Sequence, residues 1–182
     1  MTSDTIASRS LLRVHANAAV AAALTIAAIA AATLAGAWFF QLVLDIRPCP
    51  LCLEQRHAYY LVVPLGLLIA FATGRGAPRA ALVAGFAIVA LAMLWNAGLA
   101  IYHSGVEWGF WQGPADCSGP VVDFGSAGNL LQRLDSVKVI RCDEVQWRFL
   151  GLSLAGYNVL ISFAIAVLAG WSAVRCGRRG QS

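Results

Sequence analysis

Charge is what this sequence has least of. Lys, Arg, Asp and Glu make up 12% of its 182 residues, while 59% are hydrophobic. A water-soluble domain carries about a quarter charged residues, so an ordinary soluble fold is excluded. The deficit is concentrated in four charge-free runs: Ala16–Leu44, His57–Gly74, Ala80–Ser104 and Phe149–Val174. A helix needs about 20 apolar residues to cross the hydrocarbon. The first, third and fourth runs are ample. The second is the shortest. Its apolar part, Ala58–Thr73, contains Pro64 and spans only if its ends reach into the interfaces. Pro64 is tolerable because neighbouring helices can satisfy the freed carbonyl.

Linkers, low-complexity tails and sequence repeats are also missing. We therefore expect one integral membrane domain over residues 1–182, an all-α four-transmembrane-helix bundle. Its helices are expected near 16–44, 57–74, 80–104 and 149–174. The alternative for the first run is a signal peptide, with Arg9 and Arg13 as its basic region and Ala35-Gly36-Ala37 resembling a cleavage site. The run far exceeds the about 7–15 residues of a signal core, which favours a retained helix.

Four spans put both termini on one side of the membrane. That side carries Arg9, Arg13, Arg75, Arg79, Arg175, Arg178 and Arg179, and the positive-inside rule makes it cytoplasmic. The basic residues on the opposite side are diluted by acids in the long loop Gly105–Arg148. The net charge of +4 is thus a topology signal. Nucleic-acid binding would call for a basic patch on a soluble face, so no nucleic-acid partner is expected. The long loop has turn signals around Cys117. It also has Leu130, Leu131, Leu134 and Val137 at helical spacing, which reads as a short amphipathic helix, lying in the interface or packed on the bundle.

Cysteines are few but placed with meaning. Cys49 and Cys52 fall in the first external loop, and Cys117 and Cys142 in the second. That side is oxidising and permits disulfides. Cys176 falls in the cytoplasmic tail and receives no role. Cys49-Pro50-Leu51-Cys52 is a redox or metal module at a bilayer surface. No histidine follows Cys52, which rules out c-type haem attachment. A zinc site would recruit Cys117 and Cys142, but these form no second CxxC knuckle. A purely structural disulfide is a further alternative, although so small a loop stabilises little.

If the second helix begins near Leu53, Arg56 lies about one turn from Cys52. There its constant charge would favour a thiolate. The alternative is an interfacial anchor. Glu54 and Gln55 are expected to face the headgroups. His103 ends the third run and either donates a proton to a reduced quinone oxygen or merely caps its helix. His57 is a weaker candidate. Trp108, Trp111, Tyr102 and Trp147 read as an aromatic belt.

With Cys49, Cys52, Arg56, His103, Cys117 and Cys142 in place, the chain resembles the DsbB family. The most specific parts are Cys49-Pro-Leu-Cys52-Leu-Glu-Gln-Arg56, Tyr102-His103, Cys117, Cys142 and Trp147-Arg-Phe-Leu-Gly-Leu152. The resemblance implies a four-helix enzyme of the bacterial inner membrane that reoxidises a DsbA-like periplasmic thiol oxidase and passes electrons to the respiratory quinone pool. The cofactor it implies is ubiquinone or menaquinone, and no metal. It implies that Cys117 is attacked by the partner, that Cys142 then attacks Cys49, and that the freed Cys52 faces the quinone beside Arg56. Two other classes stay open: a vitamin K epoxide reductase-like enzyme, whose CxxC is expected in the final helix, and a membrane protein with two structural disulfides.

Overall fold

The computed structural model describes the backbone over residues 3–114, at Cys117 and over 141–178, with side chains from Asn17 onward. Four long helices dominate the described residues: α1 (Ser3–Leu42), α2 (Pro50–Gly74), α3 (Arg79–Glu107) and α4 (Leu154–Arg178). A hairpin of two short strands, β1 (Arg148–Phe149) and β2 (Leu152–Ser153), precedes α4. The expected amphipathic helix around residues 129–137 lies outside the described residues.

All four helices are long and apolar enough to cross a membrane, α1 through its segment Asn17–Leu42. Between 28% and 39% of their most apolar windows is buried within the protein. Large apolar side chains such as Leu68, Phe71, Leu91, Trp95 and Phe163 point outward, each more than half exposed. Water would penalise that surface heavily, whereas hydrocarbon does not. The chain is therefore an all-α membrane protein.

Helix α1 packs on α2, α2 on α3, α3 on α4, and α4 back on α1, which closes the bundle. Its interior is filled by Ile26, Val62, Phe86, Val89, Met93 and Ile165, all fully buried. Small residues set the spacing. A Cβ on Gly66 would meet Ala23 O and Ala27 Cβ at 3.1 Å, and one on Gly85 would meet Ile69 at 2.9 Å. In lipid, close backbone approach replaces the hydrophobic drive between helices.

Two helix starts differ from the apolar runs, and each difference shapes the site. Helix α2 begins at Pro50, with Cys49 as its N-cap. Proline suits the first helical position because its missing N–H would have no partner there. The helix therefore carries Glu54, Gln55 and Arg56 in its first turns and reaches 25 residues, a full membrane span. Helix α4 begins only at Leu154. Leu150 and Gly151 both adopt positive φ, 49° and 84°, and turn the chain back so that Arg148 pairs with Ser153 and Phe149 with Leu152. Two left-handed residues in succession suit a tight hairpin. At its other end α4 extends to Arg178, so Cys176 sits on the last helical turn, buried in the bundle, and not in a tail.

Candidate functional site

The chemistry-bearing side chains converge where α2 and α4 begin and α1 and α3 end. Cys49 is fixed by being the N-cap of α2: its Sγ accepts the Cys52 backbone N–H at 3.3 Å. The helix places the two sulfurs 2.9 Å apart as free thiols. Cys49 is buried at 4% exposure, and His103 Nε2 lies 3.5 Å from its Sγ. The Cys49 thiol is pulled down from its ordinary value to about 5. The largest cause is the hydrogen bond from Cys52, followed, against the opposing effect of burial, by the hydrogen bond and charge of His103. A thiolate at a helix N-terminus also gains from the aligned peptide dipoles.

His103 does not end its helix. Helix α3 continues to Glu107 and is capped at Trp108, so a capping role is ruled out. The imidazole is instead buried at 3% exposure and bridges Cys49 to Gln55, whose Nε2 lies 3.0 Å from His103 Nδ1. Gln55, expected at the headgroups, is itself buried at 5% exposure. Its Oε1 accepts from Asn158 Nδ2 on α4. Arg56, one position on, reaches the other way. Its guanidinium donates to Gln41 Oε1 at 2.7 Å and to Ala37 O at 3.4 Å, both on α1. His57 is exposed.

A cavity of about 420 Å³ opens beside these groups. Cys49, Cys52, Arg56 and His103 form one side, while Leu34, Gly36, Phe40, Trp147 and Ile161 supply apolar wall. Gly36 has no atom within 4 Å of where a Cβ would stand, so it serves the cavity rather than close helix packing. Trp147 lies against Phe40, ring centroids 4.9 Å apart, and stacks on Phe149 of the hairpin. It belongs to the cavity wall and not simply to an aromatic belt. Glu107, which the sequence did not single out, also faces the cavity and accepts a hydrogen bond from Ser153.

The second cysteine pair is a closed disulfide, Cys117–Cys142, with a Cα–Cα distance of 5.2 Å. Both residues pack in one apolar cluster with Cys49, Leu51 and Val106, against which Cys52 and Tyr102 also rest. The chain after α3 is held there by Trp111. Its Nε1 donates to Tyr102 O at 2.7 Å, and its ring stacks on Tyr102. Only glycine fits at 105, because a Cβ would stand 2.1 Å from the Trp111 ring.

Metal binding is the competing chemistry. A four-cysteine zinc site is overturned, because Cys117 and Cys142 are bonded to each other. Cys49, Cys52 and His103 keep their ligand atoms within 4.8 Å of one another. Tetrahedral Zn–S bonds of about 2.3 Å would hold two sulfurs about 3.8 Å apart. At 2.9 Å the two thiols stand well short of that zinc edge.

Comparison with known proteins bears on the same residues. The family model described as disulfide bond formation protein DsbB matches residues 19–172. The chain belongs to the DsbB family. Among its relatives is the disulfide bond formation protein B of a Polaromonas species, 29% identical over 75% of this chain and 80% of that protein. The Marinobacter nauticus protein of the same name is 31% identical over 77% and 83%. Disulfide bond formation protein B 2 of Burkholderia lata is 33% identical over 75% and 78%. No solved structure matches the chain. As a DsbB-family member the chain is a disulfide-bond-forming oxidoreductase that acts in thiol oxidation, and its four apolar helices make it a multi-pass membrane protein. Two inert structural disulfides do not describe such a protein.

Proposed function

We propose that this protein reoxidises a DsbA-like periplasmic thiol oxidase and delivers the electrons to a membrane quinone, with Cys117, Cys142, Cys49 and Cys52 as the relay. The supporting observation is the shared apolar cluster that places the closed Cys117–Cys142 disulfide against the free Cys49 and Cys52 thiols. Family membership and the adjacent cavity support the same reading.

The exchange balances as follows. The partner's thiolate attacks Cys117 Sγ, the Cys117–Cys142 bond breaks, and Cys142 leaves as a thiolate. Cys142 attacks Cys49 of an oxidised Cys49–Cys52 pair, and Cys52 leaves. The partner's second thiol resolves the mixed disulfide and releases Cys117. Cys117 attacks Cys142, and Cys49 leaves as the last thiolate. This sequence ends with the loop disulfide closed and Cys49 and Cys52 as thiols, and the closed Cys117–Cys142 bond beside unbonded Cys49 and Cys52 supports it. A low-pKa thiol is a good leaving group, so the depressed Cys49 suits that final step.

The cavity fits a quinone headgroup: apolar walls, the half-buried Cys52 at its edge, and the Arg56 guanidinium held by α1. Cys52 and Arg56 would hold its ring, with Leu34, Phe40 and Ile161 around it. A bound ubiquinone or menaquinone would supply the acceptor for the two electrons of the dithiol. Arg75, Arg79, Arg175 and Arg178 at one end of the bundle support an orientation with both termini in the cytoplasm of a bacterial inner membrane and the cysteine loops periplasmic. Turnover of reduced DsbA with a soluble quinone analogue tests the reading. We expect one quinone reduced per dithiol oxidised. Turnover that survives Cys52→Ser would overturn it.

A further inference from the structure

One hydrogen-bonded chain links the site to the middle of the bundle. Asn96 Nδ2 donates to Ser162 Oγ at 3.0 Å, and Ser162 Oγ lies 3.1 Å from Tyr59 Oη. Tyr59 Oη donates to Asn158 Oδ1, and Asn158 Nδ2 to Gln55 Oε1. Gln55 Nε2 meets His103 Nδ1, and His103 Nε2 meets Cys49 Sγ. Polar groups at membrane depth are expensive and carry function by default.

The chain has a direction. An amide nitrogen never accepts, so Gln55 must donate to Nδ1, and the ring proton must sit on Nε2, facing Cys49. Tyr59 spends its one proton on Asn158 Oδ1, and Ser162 Oγ, 3.4 Å from that same oxygen, donates either there or to Tyr59. Every bond therefore points toward the sulfur. One atom is left over: Asn96 Oδ1 is buried without a hydrogen-bond partner among the described residues. It is the acceptor that the opposite direction needs. With the three amides turned over, His103 Nδ1–H donates to Gln55 Oε1, Gln55 to Asn158, Asn158 to Tyr59, Tyr59 to Ser162, and Ser162 to Asn96 Oδ1. That arrangement bares Nε2 as an acceptor.

We propose that Gln55, Asn158, Tyr59, Ser162 and Asn96 are positioning residues whose chain has two polarities, and that its polarity decides whether His103 offers Cys49 a proton donor or a proton acceptor. In the donor polarity Nε2–H supports a Cys49 thiolate. In the acceptor polarity the Cys49 S–H bond breaks and its proton forms an N–H bond at Nε2, leaving a thiolate beside an imidazolium. Cys52 on α2 and Glu107 on α3 are the other titratable groups that face or feel the ring. The use of this device in turnover rests on the proposed relay; the tautomer itself does not.

The bland alternative is a polar staple that only holds α2, α3 and α4 together. Nitrogen-15 NMR of the His103 ring separates the two, in reduced protein without partner or quinone and with His15 and His57 replaced by Gln. The unaltered chain should give the Nε2–H tautomer. Asn158→Asp can only accept once its carboxyl is ionised, so the pH is raised until it is; Gln55 then turns over and the proton should move to Nδ1. Tyr59→Phe combined with Ser162→Ala removes both donors to Asn158 Oδ1 while keeping the ring and its packing, and should populate both tautomers. If Nε2–H persists unchanged in ionised Asn158→Asp, or in the Tyr59→Phe, Ser162→Ala pair should the former fail to fold, the chain is a staple. Because no turnover is measured, that result would leave the proposed relay intact, and a failed turnover assay would leave the tautomer result intact.

Discussion

The two cysteine pairs meet in one cluster but are held in opposite ways. Cys49 and Cys52 are placed by a helix start, three residues apart, with His103, Gln55 and the α2 peptide dipoles around them. Cys117 and Cys142 are held by the loop connecting α3 to α4, anchored by Trp111 on one side and entering the hairpin on the other. The first pair has an environment that sets its proton affinity. The second has an apolar pocket and its own bond. In the proposed relay the loop pair exchanges with a protein, while the helix pair meets a small oxidant in a fixed cavity. Fixed geometry and tuned charge belong where no partner protein can adjust the fit.

Breaking the loop pair should have the largest effect. We expect Cys142→Ser to abolish turnover and to accumulate a Cys117-linked complex with the partner, seen as a shifted band on non-reducing electrophoresis. Wild-type turnover without that band would make the loop disulfide structural. On the helix side, Arg56→Ala should slow the quinone half-reaction about ten- to a hundredfold, the equivalent of a charge-assisted contact worth about 1.5–3 kcal/mol. It should leave exchange with the partner unchanged. Stopped-flow measurement of the two half-reactions separates them, and equal slowing of both would remove the distinction between the pairs.

A smaller effect is expected from His103→Ala. Cys49 is depressed from 9.0 to about 5. Alkylation at Cys49 in the reduced protein, followed on its own peptide by mass spectrometry, should therefore stay constant near neutrality and fall as pH drops through 5. By linkage, this thiolate's contribution to the reduced fold is complete above pH 9 and is lost as pH falls toward 5. Losing the His103 hydrogen bond should shift the alkylation midpoint upward by about one to two pH units. An unmoved midpoint would assign the depression to Cys52 and the helix alone. Smallest in chemistry is Gly105→Ala, which must displace Trp111. It should cost about 1–3 kcal/mol in thermal or denaturant unfolding, while the isolated quinone half-reaction stays within twofold of wild type (roughly 0.4 kcal/mol).

The four spans were legible because lipid demands unbroken apolar length, and charge-free runs record that demand. Their ends were less legible. Gln55 and Arg56 look like loop residues by polarity, yet Cys49-Pro50 had already started the helix on which they lie. Leu150-Gly151 reads as apolar span, and only its positive φ angles reveal a turn. The cysteines, Arg56 and His103 stood out by chemistry and spacing. Gln55, Asn158, Tyr59 and Ser162 did not, because their partnership crosses helices far apart in sequence. Their signal was there all the same: Asn96, Asn158 and Ser162 are polar residues deep within charge-free runs.

The central claim is that the loop pair and the helix pair exchange directly, through Cys142 and Cys49. It is tested most simply with Cys52→Ser and Cys117→Ser combined, which leaves Cys49 and Cys142 as partners for each other. After mild oxidation in membranes, mass spectrometry of non-reduced peptides should find the Cys49–Cys142 disulfide, with Cys176 still free to alkylate. Cys49 and Cys142 both recovered as free thiols under those conditions would contradict the relay.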